Sequence, residues 1–153
     1  MPALKVMEIK QLRPQMERAW NIVKEQVEAN QKIVIEIKKW SRTMEQNRKF
    51  HVMIRDIHQQ KFRGNRFGAV KALCVREFEV EYEASSNTKL RYPSDVIWSR
   101  KLQEWVTNRP STRDFSIEEG GQFIEYLYMF GTEEGVNWSE KAAEIYQSYK
   151  EAA

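Results

Sequence analysis

Apolar side chains recur every three or four residues in five segments of the chain, which is the spacing of one face of an α-helix. In the second segment Phe50, Met53, Ile54 and Ile57 form such a stripe. The same spacing predicts helices over residues 13–29, 43–60, 69–80 and 117–130, and a last helix that follows Ser139.

Short β-branched or alternating stretches predict strands between these helices. Residues 32–39 give the clearest case, with three isoleucines and one valine, and residues 3–10 alternate weakly like an edge strand. Residues 102–107 predict a further strand, whereas residues 94–101 predict a short helix. The acidic stretch 77–83 is compatible with either a strand or a helix end.

Polar residues mark the ends of two of the predicted helices. Thr43 with Gln46, and Ser116 with Glu119, each match a capping box, in which a hydroxyl and a side chain three residues later satisfy free backbone N–H groups. Gly131 is predicted to end the helix over 117–130, since glycine is favoured just after a helix C-terminus.

Length and composition fit one globular domain. The chain has 153 residues, 41% of them hydrophobic, and it contains no run of 18 apolar residues and no apolar secretory block at its start. Cys74 is the only cysteine, so no intrachain disulfide can form and a reducing cytosol is expected. We therefore predict a single α+β domain over residues 1–153, with a small sheet and several helices.

Positive charge is concentrated in one quarter of the chain, although the net charge is only +3. Residues 36–71 contain ten Lys or Arg against three Asp or Glu, whereas residues 72–134 contain seven against twelve. An isolated charge run usually marks a solvated helix face. Ten cations with aromatic residues among them instead favour a surface that binds a polyanion.

A surface for unpaired nucleic acid needs cations for phosphates and aromatic faces for bases. The candidate cations are Arg42, Arg48, Lys49, Arg55, Lys61, Arg63, Arg66 and Arg113. The candidate stacking groups are Phe62, Phe67, Trp98, Trp105 and Trp138, for each of which core packing is the alternative. A helical wheel places His51 on the polar side of the helix with Asn47 at its edge, and turns Gln46 towards the apolar side. Charge alone does not distinguish single strands from duplex.

Signatures of catalysis are few. The chain has no phosphate-binding Gly-Lys-Ser/Thr loop and no dinucleotide glycine motif. His51 and His58 lie about 10 Å apart along one helix, too far to share a metal ion easily. No enzyme activity, metal or cofactor is therefore predicted. Two alternatives stay open: a structure-specific nuclease or other DNA-processing enzyme that uses the acids of residues 72–134, and a protein adaptor that docks an acidic peptide.

Two segments resemble the NinB family, also called Orf, of lambdoid phage recombination proteins. Residues 42–49, RTMEQNRK, are similar to its Arg-Ser/Thr-x-Asp/Glu-Gln-Asn-Arg/Lys motif. Residues 111–113, STR, and residues 130–139, FGTEEGVNWS, resemble its C-terminal segment. The resemblance covers roughly residues 3–145, with the motifs in the same order.

The resemblance implies a small α+β protein that forms an intertwined homodimer with a basic cleft. Such proteins bind single-stranded DNA and have no known catalytic activity. They act as recombination mediators in the cytoplasm of the bacterial host, where they help a phage annealing protein or recombinase reach DNA covered by the host single-strand-binding protein. The matching positions here are Arg42, Gln46, Asn47, Arg48 and Arg113, and His51 stands where some relatives have Trp.

Overall fold

The fold is α+β, with five helices and one two-stranded antiparallel sheet in the part of the chain that the computed structural model describes. That part comprises residues 4, 6, 8–37 and 42–152, without the side chains of Arg42 and Thr43. The chain divides into two compact units, residues 1–39 and residues 40–153. The helices are α1 (Ile9–Glu28), α2 (Arg42–Lys61), α3 (Phe67–Ser86), α4 (Ile117–Glu133) and α5 (Glu140–Ala152).

The first unit contains α1, which confirms the predicted helix and extends it towards the N-terminus. The backbone N–H of Glu8 donates to Gln11 Oε1 at 3.2 Å, which satisfies one N–H group at the helix start. The predicted strand over 3–10 is wrong, because Ile9 and Lys10 are already helical and the other described residues belong to no strand.

The β-branched run that follows α1 forms no strand either. Residues 31–37 have no regular secondary structure, and positions 38 and 39 of the predicted strand lie outside the described residues. A β-branched sequence favours extended backbone, but a strand also needs a neighbour that accepts and donates its hydrogen bonds. Val34 and Ile37 are each more than nine-tenths exposed.

The second unit packs α2, α3, α4 and α5 around an aromatic core. Phe50, Met53, Ile54 and Ile57 of α2 are fully buried, which confirms the predicted stripe. Phe50 meets Phe123 of α4 edge to face, with ring centroids 4.9 Å apart. A buried side chain of this size stabilises the fold by about 1.5–3 kcal/mol, so the stripe fixes α2 against its neighbours.

Helix α3 is longer than predicted and includes the acidic stretch 77–83. Its buried residues lie three or four positions apart, as in Val70, Cys74 and Phe78, and the acids between them are mostly exposed. Burial raises the pKa of the Cys74 thiol to about 12, so this cysteine stays protonated inside the core.

Within the described residues, no helix combines the length and the apolar character that a membrane span needs.

The sheet is a β-hairpin of β1 (Asp95–Ser99) and β2 (Glu104–Asn108). The predicted helix over 94–101 is therefore wrong, and the predicted strand over 102–107 is confirmed with slightly later bounds. Cross-strand pairing favours a strand over a helix here, because Trp98 lies opposite Trp105 with ring centroids 5.3 Å apart.

Helix α4 begins as predicted and ends later. Ser116 Oγ accepts the N–H of Glu119 at 3.1 Å, and Glu119 Oε2 accepts the N–H of Ser116 at 2.7 Å, which confirms the capping box. Gly131 lies inside α4 and does not end it; the left-handed residue is Gly135, with φ +72°. Gly131 is needed for packing, because a Cβ there would lie 2.3 Å from the Trp138 ring.

Candidate nucleic-acid interface

The start of α2 and the loop before α4 are joined by one hydrogen bond. Thr112 Oγ1 donates to Asn47 Oδ1 at 2.5 Å, and the Thr112 side chain is only 2% exposed. These two residues come from the two polar segments singled out in the sequence, residues 42–49 and 111–113. The bond therefore fixes the loop that carries Arg113 against α2.

Gln46 makes a second connection between α2 and α4. Its Nε2 donates to the carbonyl oxygen of Ile117 at 3.5 Å. A Cβ on Gly120 would lie 2.0 Å from the same Nε2, so glycine at this position makes room for the amide. The prediction that Gln46 faces the apolar side is confirmed. The predicted N-cap Thr43 lies one residue inside α2, and its side chain is outside the described residues.

Five basic side chains from α2, α3 and the loop before α4 are linked by one contact and by their electrostatic effects on one another, and we call them the cationic cluster. The ammonium Nζ of Lys71 lies 2.9 Å from His51 Nε2, and the Phe67 ring meets the His51 ring edge to face at 5.5 Å. Arg55 and Arg113 are close enough to act electrostatically on His51, and Arg109 and Arg113 act on Lys71. The cluster consists of His51, Arg55, Lys71, Arg109 and Arg113.

Electrostatics within the cluster disfavour additional positive charge. Burial, followed by the charges of Lys71, Arg55 and Arg113, lowers the pKa of His51 below its ordinary value. Burial and the two neighbouring arginines likewise lower the pKa of Lys71. Across residues 8–37 and 42–152, none of the four Lys or Arg side chains of the cluster forms an ion pair with a carboxylate. An anion from outside the molecule would relieve this repulsion.

A second basic segment connects α2 to α3. The guanidinium of Arg63 donates through Nε to the carbonyl of Gln59, and Arg66 precedes the first residue of α3. Lys61 Nζ would lie 3.5 Å from a Cβ placed on Gly135, so this side chain points towards the connection between α4 and α5. No described contact joins these three cations to the cationic cluster.

The remaining predicted cations lie in the first half of α2. Arg48 is exposed and Lys49 is half-buried. Arg42 is the first residue of α2, and its side chain lies outside the described residues. Of the eleven predicted site residues, the structure thus brings His51, Arg55 and Arg113 into one cluster, and uses Gln46 and Asn47 to support it.

Lys71 and Arg109 are members of the cluster that the sequence analysis did not assign to the site. Lys71 is the last residue of the cation-rich quarter, and Arg109 lies two positions before the segment 111–113. Helical spacing could have identified Lys71 as a candidate. It lies four residues after Phe67, a candidate aromatic, and therefore on the same side of α3.

Two buried carboxylates hold the backbone beside the hairpin. Glu79 accepts hydrogen bonds from the N–H and hydroxyl of Ser94 and from Arg76, and Glu119 accepts the N–H of Arg91 at 2.6 Å. Burial raises the pKa of Glu79, but these hydrogen bonds outweigh it and the net pKa lies below the ordinary value. Among the described residues no group of three His, Cys, Asp or Glu could hold a metal ion.

Three of the five candidate stacking groups pack inside the protein. Phe62 stacks on Phe130, Phe67 lies between two histidine rings, and Trp138 stacks on Tyr128 with centroids 5.4 Å apart. The exposed candidates are Trp98 and Trp105 on the hairpin.

By fold and site this is a small, mostly helical α+β protein. Its basic cluster has Lys and Arg side chains that no described carboxylate neutralises. The family model described as NinB protein matches residues 6–75, which include α1, α2 and the first half of α3. The predicted resemblance to the NinB family is therefore confirmed.

Curated proteins that are similar to this chain are named NinB. The P21 prophage-derived protein NinB of Escherichia coli O6:H1 (strain CFT073) is 27% identical over 111 residues, which are 72% of this chain and 68% of that protein. The ninB proteins of Salmonella phage P22 and Escherichia phage lambda are also 27% identical over 111 residues, with 69% and 68% of their lengths covered.

One solved structure, described as Structural Genomics, NinB, superposes with a TM-score of 0.54. The match covers 94% of this chain and 98% of the other, at 20% sequence identity. At this level of identity the likeness concerns the fold.

Proposed function

We propose that this protein is a single-stranded-DNA-binding recombination mediator of phage or prophage origin. It would assist an annealing protein or recombinase on DNA covered by the host single-strand-binding protein, in the host cytoplasm. The observation that carries the proposal is the cationic cluster, in which Lys71 contacts His51 and the charges of three arginines act on this pair, without a carboxylate partner for the Lys and Arg side chains among the described residues.

A cluster of this kind suits the phosphates of a nucleic acid. Each Lys or Arg that neutralises a phosphate releases condensed counterions, which favours binding and makes it dependent on salt. The loop that carries Arg113 is held by the Asn47–Thr112 hydrogen bond, so little order has to be gained when DNA binds.

The hairpin supports a preference for single strands. Trp98 and Trp105 are exposed, and Arg109 of the cationic cluster directly follows the last residue of β2. Arg100 and Lys101 add two exposed cations at the turn. Aromatic faces beside cations suit unpaired bases, which can stack on them, whereas the bases of a duplex are already stacked.

The comparisons support the phage setting, since the similar curated proteins are NinB proteins of phages or of a prophage. We propose that the protein acts without chemistry of its own. Glu79 and Glu119, two of the acids that a nuclease would need, are buried and already hydrogen-bonded to the backbone beside the hairpin. Labelled DNA incubated with the protein and Mg²⁺ or Mn²⁺ should be recovered intact.

The proposal predicts binding to single-stranded DNA that weakens steeply with salt. Fluorescence anisotropy with a labelled oligo(dT) and a matched duplex would be measured from about 50 to about 300 mM NaCl. If three to four phosphates are neutralised, the slope of log affinity against log salt should be about −2 to −3 for the single strand. The duplex should bind more weakly at every salt concentration.

Arg113→Ala tests the contribution of the cluster to that binding. The variant should bind oligo(dT) about fivefold to tenfold more weakly, with a shallower salt slope, because one phosphate contact is lost. Lys141→Ala is the matched control, since it removes one exposed cation from α5. A salt-independent affinity, or equal loss in both variants, would contradict the proposal, and binding of acidic peptides alone would indicate a protein adaptor.

A further inference from the structure

Lys71 is the member of the cationic cluster whose position is most closely defined. It lies in the second turn of α3 and is half-buried, which is unusual for lysine because its charge loses solvation there. Its ammonium contacts the ring nitrogen of His51, a neutral or positive group that offers it no charge compensation. The groups known to contact Lys71 or to act on its charge are basic, so an anion that binds there would compensate a half-buried positive charge.

We propose that Lys71, Arg109 and Arg113 bind one phosphate group and that His51 positions the Lys71 ammonium for it. The proposal deepens the proposed function, since it takes DNA as the source of the phosphate. The site is defined by the Lys71–His51 contact and by the arginines whose charges act on these two groups, and inorganic tripolyphosphate can test it without DNA.

Hydrogen-bond chemistry fixes the roles of the two central side chains. An ammonium group only donates, so His51 Nε2 must accept and must carry no proton, which leaves the proton on Nδ1. One of the three Lys71 N–H groups is used in this bond, and two remain for phosphate oxygens. The edge-to-face contact with Phe67 limits rotation of the His51 ring, so the acceptor is held in place.

The two arginines complete a site for a group with several acceptor oxygens. Arg109 Nη1 is anchored to the carbonyl of Pro110 at 3.3 Å, which leaves its other N–H groups for a ligand. The Arg113 guanidinium has no ion-pair partner among residues 8–37 and 42–152. Guanidinium and ammonium groups together match the charge and the geometry of a phosphate.

The charges that act on His51 and Lys71 come from α2, α3 and the loop before α4. They are Arg55 and His51 on α2, Lys71 on α3, and Arg109 and Arg113 in the loop before α4. Their mutual repulsion supports the assignment, because burial and neighbouring positive charge lower the pKa values of both His51 and Lys71. A bound phosphate would reverse that effect.

Lys71→Ala tests the phosphate contact, with Lys141→Ala as the charge-matched control. We expect Lys71→Ala to weaken both oligo(dT) and tripolyphosphate about fivefold to tenfold, and to make the oligo(dT) salt slope shallower by about 0.7. Lys141→Ala should change each affinity less than twofold. Affinities for both probes that equal the wild-type values in Lys71→Ala would overturn the proposal.

The role of His51 is tested by exchanging its acceptor. His51→Leu should weaken oligo(dT) binding several-fold, and His51→Gln should restore most of that loss because its amide oxygen can accept from Lys71. In the Lys71→Ala background the two His51 variants should differ little, since the group being positioned is gone. Equal losses in His51→Leu and His51→Gln would show that only ring packing matters.

A spectroscopic measurement on the unaltered protein covers the case in which a variant fails to fold. Long-range ¹⁵N–¹H correlation spectra at neutral pH should show His51 Nε2 unprotonated, and its resonance should shift when tripolyphosphate is added. A protonated Nε2, or no shift at saturating tripolyphosphate, would refute the pocket.

The two proposals fail in different ways. Tripolyphosphate binding that depends on Lys71, without any DNA binding, would keep the pocket and refute the DNA-binding function. DNA binding that does not depend on Lys71 would keep the function and refute the pocket.

Discussion

At the scale of single residues, one hydroxyl–amide hydrogen bond organises the candidate site. Thr112 is almost fully buried, so its hydroxyl has no access to water when its partner is lost. Asn47 receives that bond from a loop 65 positions away in sequence, which makes it a tertiary contact and not a local turn. The polar character of residues 42–49 is thus partly structural: Asn47 holds the loop through Thr112, and Gln46 contacts the first residue of α4.

Thr112→Val should lower the free energy of unfolding by about 1–3 kcal/mol, because the shape is kept while a buried hydrogen bond is lost. Urea denaturation followed by circular dichroism measures the change. Thr112→Ser is the matched control, since it keeps the hydroxyl and removes only a methyl group.

The same variant should also weaken oligo(dT) binding, because Arg113 follows Thr112 directly and its loop would no longer be fixed against α2. A Thr112→Val protein as stable as the wild type, with unchanged DNA affinity, would show that the bond contributes nothing.

Three of the five residues of the cationic cluster could be predicted from charge and from helical position, namely His51, Arg55 and Arg113. Arg55 and Arg113 could be predicted, since both are cations in polar segments. Lys71 could not be assigned, because its place beside His51 depends on how α3 packs against α2, and the sequence does not specify that packing. Gln46 was correctly turned inward, because the apolar stripe of α2 defines its face.

At the scale of elements, helices with a continuous apolar stripe were predictable, whereas of the short strands only the second strand of the hairpin was predicted. The stripes of α2 and α4 each bury large side chains such as Phe50 and Phe123, and a period of three to four residues is hard to mistake. Residues 94–101 were assigned to a helix because Ser94 suits an N-cap position. The pairing of Trp98 with Trp105 makes this segment a strand, and that pairing depends on the turn between the two strands.

Gly131 was misassigned for a related reason. Glycine near a predicted helix end suggests a C-terminal signal, but here it lets two elements approach, since the Trp138 ring lies where a Cβ would be. The spacing of apolar residues along a helix does not show that Trp138, seven positions later, packs against Gly131.

Gly131→Ala should destabilise the protein despite the higher helix propensity of alanine. The gain in propensity is about 1 kcal/mol, whereas a Cβ at 2.3 Å from a ring atom forces the Trp138 ring to move, at a cost of about 1–3 kcal/mol. Gly64→Ala is the matched control, because nothing lies within 4 Å of its Cβ position. Thermal unfolding should give a lower midpoint for Gly131→Ala only, with a changed near-ultraviolet spectrum; equal midpoints would contradict this account.

At the scale of the whole molecule, the exposed apolar surface suggests a second copy of the chain. No residue of α1 is buried within the described chain, although Leu12, Met16, Trp20 and Val27 lie on one face. Val34, Ile35 and Ile37, which follow α1, are also exposed. A large unburied apolar stripe usually marks an interface. We therefore propose the homodimer that the family resemblance implies, in which these segments would find the partners that a single chain does not supply.

Sedimentation should therefore give about twice the chain mass of 18.3 kDa at micromolar concentration. Trp20→Gln should shift the protein towards monomer, because it removes a large apolar side chain from the stripe. Arg18→Gln is the control, since position 18 lies on the opposite side of α1 from Met16. A wild-type protein that stays monomeric at every accessible concentration would contradict the dimer.

A homodimer would also change how DNA binds, since two-fold symmetry supplies a second cationic cluster. A long strand that contacts both clusters gains from effective concentration, whereas a strand of about five nucleotides reaches only one. Trp20→Gln should therefore weaken binding of a long oligo(dT) strongly and leave a short one almost unchanged. Lys71→Ala should weaken both. This difference separates the contact with a phosphate, which belongs to each chain, from the avidity that only a pair of chains provides.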